Sequence, residues 1–361
     1  MKSKYDESVS RCLTVVLAVK NRPNHTLRWL EYAERVNFPF RVLIADGSGE
    51  GKLEKRIQRV AATGRVRITY RRFPYDATFV RFYGKMVSAL GCCETPYCAL
   101  VENDTLPVPQ GLYLSLKFLI KHSEYSTCRG QYVDFRLESG REDPLPLQGQ
   151  KIYVQNAYFN RQHSIWKSFE QAEPLDRLKE WSRAMCIMYN NVHRAGTLSE
   201  GFQFLKRNKV SDIIMCDIIF SLMALSVGKS KILDEPYMLS QQNSPDGVSV
   251  ASRRKANIFE RMFTPDWTRN VARLAHFVAE RLPSGDAATR RGAEQEVLSC
   301  LIRHYADRVH SHLHKHFVEE QKEKASGITE GDYVFRLSGK QRGFRSRWKD
   351  QFRFLLGERH A

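Results

Sequence analysis

Three short runs dominate the first hundred residues: Leu13–Val19, Arg41–Ala45 and Tyr97–Val101. Each is apolar and stops at a polar turn: Lys20-Asn21-Arg22-Pro23, Asp46-Gly47-Ser48-Gly49 and Glu102-Asn103-Asp104. Runs of this length are too short to span a bilayer, which takes about 18 or more apolar residues. They suit strands buried on both faces, as in a parallel sheet. A third, charged strand is expected over 65–70, with helices from Asn24 to about Val36, on to Ala62, and from Ala77 to Cys93. The order β-α-β-α-β-α-β predicts an α/β fold with a mostly parallel, Rossmann-like sheet flanked by helices. Such sheets bind ligands beyond the carboxyl ends of their strands, so the three turns form the expected site. Glu102 and Asp104, two carboxylates at i and i+2, can face one ligand there; oxygen ligands suit Mg²⁺ or Mn²⁺ and hence a diphosphate.

Further along, 110–122 reads as a helix, 126–170 is mixed, and Leu137–Gln148 forms a polar, Pro-rich insertion. Ser211–Val227 reads as one apolar helix, Lys231–Leu233 as a short strand and Gln241–Gly247 as a loop. After about residue 250 charged helices take over, roughly at 256–282, 287–323 and 340–356. Residues 1–250 are therefore expected to form one domain and 251–361 a helical C-terminal region.

The formal net charge is +17. It favours polyanionic company: nucleic acid, anionic lipid or a phosphorylated substrate. From Ser249 onward there are 22 Lys+Arg against 14 Asp+Glu, so the excess is spread along the chain rather than held in one tail. The eight cysteines are scattered without a CxxC pair, and the polar start, Met1–Arg11, carries no secretory pattern. Both features predict a reducing, cytoplasmic setting.

These pieces, in this order and spacing, resemble the GT-A glycosyltransferases, in particular the large inverting family that uses nucleotide-sugar donors. Residues 14–23, Thr-Val-Val-Leu-Ala-Val-Lys-Asn-Arg-Pro, look like the family's opening strand and turn. Residues 42–49 look like its second strand and Asp-Gly-Ser turn, and 97–104 like the strand that carries its metal motif. The resemblance covers about 12–245, with a donor part at 12–106 and an acceptor part at 107–250. The wording of 45–49 and 228–241 is similar to a bacterial surface-glycan subgroup. The resemblance implies that Asp46 binds the nucleobase or ribose, with Val19 to Asn21 lining the base pocket. It implies Arg22 or Lys85 at the diphosphate, Glu102 at ribose or metal, and Asp104 on Mn²⁺ or Mg²⁺. The chain departs from the acidic DxD pattern at Glu102-Asn103-Asp104, which makes metal dependence a matter for test.

Inverting transfer needs a carboxylate to deprotonate the acceptor hydroxyl. In the family this base lies about eleven residues before a glycine that precedes a short strand, and Asp217 stands in that relation to Gly228. Asp217 lies within Cys216-Asp217-Ile218-Ile219-Phe220, where a carboxylate is costly unless paired or functional. Asp212 reads instead as a helix cap. His304, His310, His312, His314 and His316 include i,i+4 pairs, but the pattern suits an amphipathic helix better than a metal site. Phe344, Trp348, Phe352 and Leu355 form one apolar stripe among basic residues in 340–356, suited to an anionic membrane surface or to packing on the protein itself.

The sequence therefore predicts a nucleotide-sugar-dependent glycosyltransferase on the inner membrane face. Its acceptor would be a hydroxyl of a glycan or lipid-linked glycan. A nucleic-acid-binding protein, a DNA-modifying transferase and an inactive GT-A domain are the alternatives. The first loses weight because no helix-turn-helix, RRM or zinc-finger signature appears.

Overall fold

The apolar runs become the centre of one mixed sheet. A computed structural model describes residues 5–51, 53–137, 152–157, 167–184, 186–241, 262, 264–283 and 286–314. Strand β1 (Leu13–Val19) lies between β2 (Arg41–Asp46) and β4 (Tyr97–Glu102), parallel to both, and β3 (Arg67–Arg72) adds in parallel outside β2. Leu13, Val15, Leu17 and Val19 point into one core and Val16 into another, which is why β1 is apolar throughout. Edge strand β3 is only partly buried, in keeping with its alternating charge. Register sets the strand ends level: Val19 pairs with Asp46, and Ala18 with Glu102.

The connections are α2 (Pro23–Arg35), α3 (Glu54–Ala62) and α4 (Phe79–Gly91), after a short α1 (Glu7–Ser10). Strand order along the parallel part is β3-β2-β1-β4, so the direction of winding reverses between β1 and β4. That reversal opens a crevice at the carboxyl ends of these two strands.

The second half departs from the parallel expectation. It holds β5 (Thr105–Pro107), α5 (Pro109–Lys121), β6 (Tyr125–Leu137), β7 (Ile152–Ala157), α6 (Pro174–Ala184) and β8 (Val192–Arg194). It ends with α7 (Ala195–Arg207), α8 (Ile213–Val227) and β9 (Lys229–Gln241). Nine strands among the described residues form one sheet, with β8 antiparallel to β4 and β6, β5 antiparallel to β9, and β6 parallel to β9. Strand β9 is far longer than the expected Lys231–Leu233. It passes through Asp234-Glu235-Pro236 because the β6–β9 register shifts there, and a bulge accommodates a proline. Gly130 permits the approach: a Cβ at that position would lie 2.3 Å from the Glu235 carbonyl oxygen.

Two C-terminal helices follow, α9 (Pro265–Ala279) and α10 (Ala287–His314). Leu274 and Val278 of α9, and Val297, Leu301 and Tyr305 of α10, share a core with Ile218, Phe220 and Leu222 of α8. Helix α8 has no polar face of its own to give to water, so these helices complete its burial. The described residues of the C-terminal region thus share a core with α8. The 340–356 stripe and most of the Pro-rich insertion lie outside the described residues. No helix among the described residues is long and apolar enough to cross a membrane.

A shared core predicts shared unfolding. Leu301 is fully buried, and Leu301→Ala should lower stability by about 2–5 kcal/mol. Urea denaturation followed by fluorescence and by far-UV circular dichroism should show one coincident transition. A separate early transition confined to the variant's helical signal would contradict the shared core.

Candidate active site

The ends of β1 and β2 are tied to each other before any ligand arrives. The Val19 carbonyl accepts from the Gly47 amide and from Lys85 Nζ, each at 3.0 Å. Asn21, held in the left-handed region at φ 50°, donates its amide to Ser48 Oγ at 2.8 Å and accepts from the Gly49 amide at 3.0 Å. Asn tolerates that backbone conformation better than most side chains. Beside these groups stands Tyr75, an exposed ring whose hydroxyl receives Asn21 Nδ2 and whose face carries Lys20.

Asp46 is fully buried. Its Oδ1 accepts the Ser48 amide at 2.9 Å and its Oδ2 accepts the Tyr70 hydroxyl at 2.8 Å. It acts on its own turn, and direct contact with a ligand would require Tyr70 to give way. Lys85 is likewise closed in. It lies 2.5 Å from Asp76 with both side chains 2% exposed, so it is not placed as a free cation for a diphosphate. Burial pushes the Asp76 carboxyl up and the Lys85 ammonium down, and their mutual attraction opposes both shifts. A Cβ on Gly47 would lie 2.4 Å from the Asp76 carboxyl, so only glycine lets the turn close over the pair.

Across the crevice, at the end of β4, Arg22 meets the acidic cluster. Its Nη1 donates to Asn103 Oδ1 and to Asp104 Oδ2, both at 3.0 Å. The Asn103 amide turns inward to Thr26 Oγ1 at 3.0 Å, and Asn103 is 3% exposed. Arg22 and Asp104 are 11% and 15% exposed, enough to be reached from the crevice. Glu102 accepts from Asn190 Nδ2 at 2.7 Å. Burial, with the fields of Asp104 and Asp217 adding, pushes its carboxyl up to about 8. It is therefore mostly neutral at pH 7.

Asp217 stands on α8, and its charge bears on Glu102, Tyr83 and Tyr189. Thus the acid expected from its spacing to Gly228 and the acids ending β4 act on the same small region. Asp212 caps α8 through the Ile214 amide at 2.9 Å and accepts the Tyr305 hydroxyl at 2.9 Å, consistent with a capping role. Arg308, from α10, is the nearby cation. Burial pushes its guanidinium down, while Asp217, Tyr305 and Asp212 raise it.

Several of these residues carry no signal in sequence. Asn190 lies in a loop before β8, Tyr70 on an edge strand, and Arg308 in a charged helix that reads as solvated. His304, one of the five histidines, is buried, stacked on Trp181 at 4.4 Å and bonded to Arg308. Among the described residues no group of three His, Cys, Asp or Glu side chains could hold a metal ion. Mg²⁺ can manage with one carboxylate and phosphate, but the carboxylate in question, Asp104, already carries a guanidinium. As placed, Asp104 offers a divalent ion a single carboxylate whose Oδ2 is already shared with the Arg22 guanidinium. All eight cysteines are free. An open recess of about 600 Å³ lies elsewhere, between α7 and the helices α9 and α10, and includes none of the strand-end residues.

No protein-family model matches the sequence, and no curated protein matches it. Comparison with solved structures does find likenesses. S. aureus TarS 1–349 in complex with UDP-GlcNAc superposes with a TM-score of 0.51 at 15% identity, over 88% of this chain and 79% of that one. The same protein without that ligand gives 0.49 at 13% identity, over 87% and 78%. The mannosyltransferase PcManGT from Pyrobaculum calidifontis, in complex with GDP-Man and Mn²⁺, gives 0.42 at 11% identity, over 99% and 91%. The first of these carries the fold argument. The chain has a GT-A fold, as the turns at 20–23, 46–49 and 102–104 implied.

Two substitutions test this geometry. Lys85→Met leaves Asp76 as an uncompensated buried charge and should cost about 3–5 kcal/mol in urea denaturation. A loss below about 1 kcal/mol would mean that the pair does not hold the turn. Glu102 has a raised folded-state pKa, so the folded chain keeps a proton that the unfolded chain loses. Its stability therefore falls as pH rises from the ordinary carboxylate range to about 8, then levels. Glu102→Gln lacks this term. Measured in EDTA between pH 6 and pH 8, it should gain about 2 kcal/mol relative to the unaltered protein. Parallel pH profiles would refute the neutral carboxyl.

Proposed function

We propose that the protein is a glycosyltransferase that moves a sugar from a nucleoside-diphosphate sugar to a hydroxyl group. One observation carries this reading: on a GT-A fold, the β1–β4 reversal gathers Asn21-Arg22, the 46–49 turn, Glu102-Asp104 and the field of Asp217 around one crevice. The TarS structure, which holds UDP-GlcNAc, supports a nucleotide-sugar donor.

In this reading the base rests against the linked turns of Asn21 and residues 46–49, where backbone and the Tyr75 ring are presented. The diphosphate lies at the ends of β1 and β4. Asp217 takes the proton of the acceptor hydroxyl as its oxygen bonds to the anomeric carbon. The bond from that carbon to the diphosphate oxygen breaks, and its electron pair leaves with the nucleoside diphosphate. Attack from the face opposite the leaving group inverts the anomeric centre. Neutral Glu102, bonded to Asn190, is not placed to take that proton, which leaves the role to Asp217. Arg308, whose guanidinium lies in the field of Asp217, supplies a counter-charge in a wall of apolar residues.

For the acceptor we propose a glycan or lipid-linked glycan. The support is the basic, aromatic segment 340–356, which suits an anionic membrane surface.

A thermal-shift panel of UDP, GDP, CDP and dTDP tests the donor assignment, because a ligand of the folded state raises its melting temperature. At least one nucleotide should do so, and Asp217→Asn should keep that shift while lowering transfer by at least about 100-fold. Stabilisation by none of them would refute the transferase reading. Full transfer by Asp217→Asn would refute the base.

A further inference from the structure

The Arg22–Asp104 contact is unusual for a site expected to hold a divalent ion. Asp104, at the end of β4, is open to the crevice, and a guanidinium nitrogen of Arg22 sits 3.0 Å from its Oδ2. The same nitrogen is held by Asn103 Oδ1. Asn103 is in turn fixed from below by its amide bonds to Thr26 Oγ1 at 3.0 Å and to the Arg22 carbonyl at 3.4 Å. The clamp is therefore built, with its three members coming from two adjacent strand ends. Asn103 also explains itself this way: a second aspartate there would place a charge on a buried side chain bonded to Thr26, whereas an amide can both donate to Thr26 and accept from Arg22.

A divalent ion on Asp104 would have to share the carboxylate with Arg22 or compete with it, since the guanidinium already holds Oδ2. A guanidinium is charged at every working pH and matches phosphate oxygens through its planar fork. Opposing cationic charge at a departing diphosphate is what the reaction requires, whether a metal or a side chain supplies it. Arg22 also sits where helix α2 begins, with Pro23 as its first residue, so the positive end of a thirteen-residue helix faces the same crevice.

We infer that Arg22, clamped by Asp104 and Asn103, is the cation that binds the donor diphosphate, and that donor binding needs no divalent metal. Asp104 is then a positioning residue for Arg22. The inference rests on the transferase reading, and it takes the place of the Mn²⁺ or Mg²⁺ that the resemblance implied at Asp104.

The test is calorimetric binding of nucleoside diphosphates to the full chain, in EDTA and in millimolar Mn²⁺, using UDP, GDP, CDP and dTDP as probes with their parent nucleosides. The dissociation constant of the diphosphate that binds should agree within about twofold between the two conditions. Arg22→Gln should weaken that diphosphate by at least about tenfold, equivalent to about 1.4 kcal/mol, and leave its parent nucleoside within about twofold. A general loss of structure would weaken both alike. A tenfold or greater tightening by Mn²⁺ overturns the inference while leaving the transferase reading intact. So does Arg22→Gln binding the diphosphate as well as the unaltered protein does. If no diphosphate binds in either condition, the transferase reading falls and this inference with it. The comparison of EDTA with Mn²⁺ uses the unaltered chain, so it stands even if Arg22→Gln does not fold.

Discussion

The ion pair of Lys85 and Asp76, sealed beneath Gly47, is the interaction on which the rest of the site depends. It is expensive to bury, because both charges leave water. Lys85 also binds the Val19 carbonyl at the end of β1, and the Asp76 amide binds the Gly47 carbonyl after β2. One buried contact therefore joins β1, the turn after β2 and the segment that follows β3. Packing of the apolar strand bodies sets their register. The pair extends that order past the last paired residues, where the sheet alone no longer constrains the chain.

From this follows a crevice with two unlike walls. One wall, the linked turns at Asn21 and 46–49, presents mainly backbone and an aromatic ring, with its carboxylate, Asp46, turned inward. The other wall carries the charges: Arg22 on Asp104, neutral Glu102 on Asn190, and Asp217 behind them. Helix α8 brings Asp217 to this place. Because that helix is apolar nearly all round, it needs cover from α9 and α10, and α10 delivers Arg308 in doing so. The C-terminal helices thus contribute to the electrostatics of the site as well as to its core.

The parts legible in sequence are those whose reason is local. Strands β1, β2 and β4 announce themselves because burial on both faces demands unbroken apolar runs. Asp212 reads as a cap because capping is decided within three residues. Residues whose environment comes from distant chain read less well. Nothing near Lys85 in sequence reveals Asp76 as its partner, and nothing near Asp46 reveals that Tyr70 will cover it. Strand β9 looks interrupted at Asp234-Glu235-Pro236 because the bulge that absorbs the proline is set by Gly130, on another strand. Arg308 looks solvated because its helix is charged, although one turn of that helix faces Asp212 and Asp217.

We propose the β1–β4 reversal as a nucleotide-sugar site. A crystal structure of the protein with its stabilising nucleoside diphosphate tests it most directly. The nucleobase should lie against the 46–49 turn and the diphosphate within hydrogen-bond distance of the Arg22 guanidinium. A nucleotide bound instead in the recess lined by Arg207, Arg273 and His276, with the strand ends empty, would contradict it.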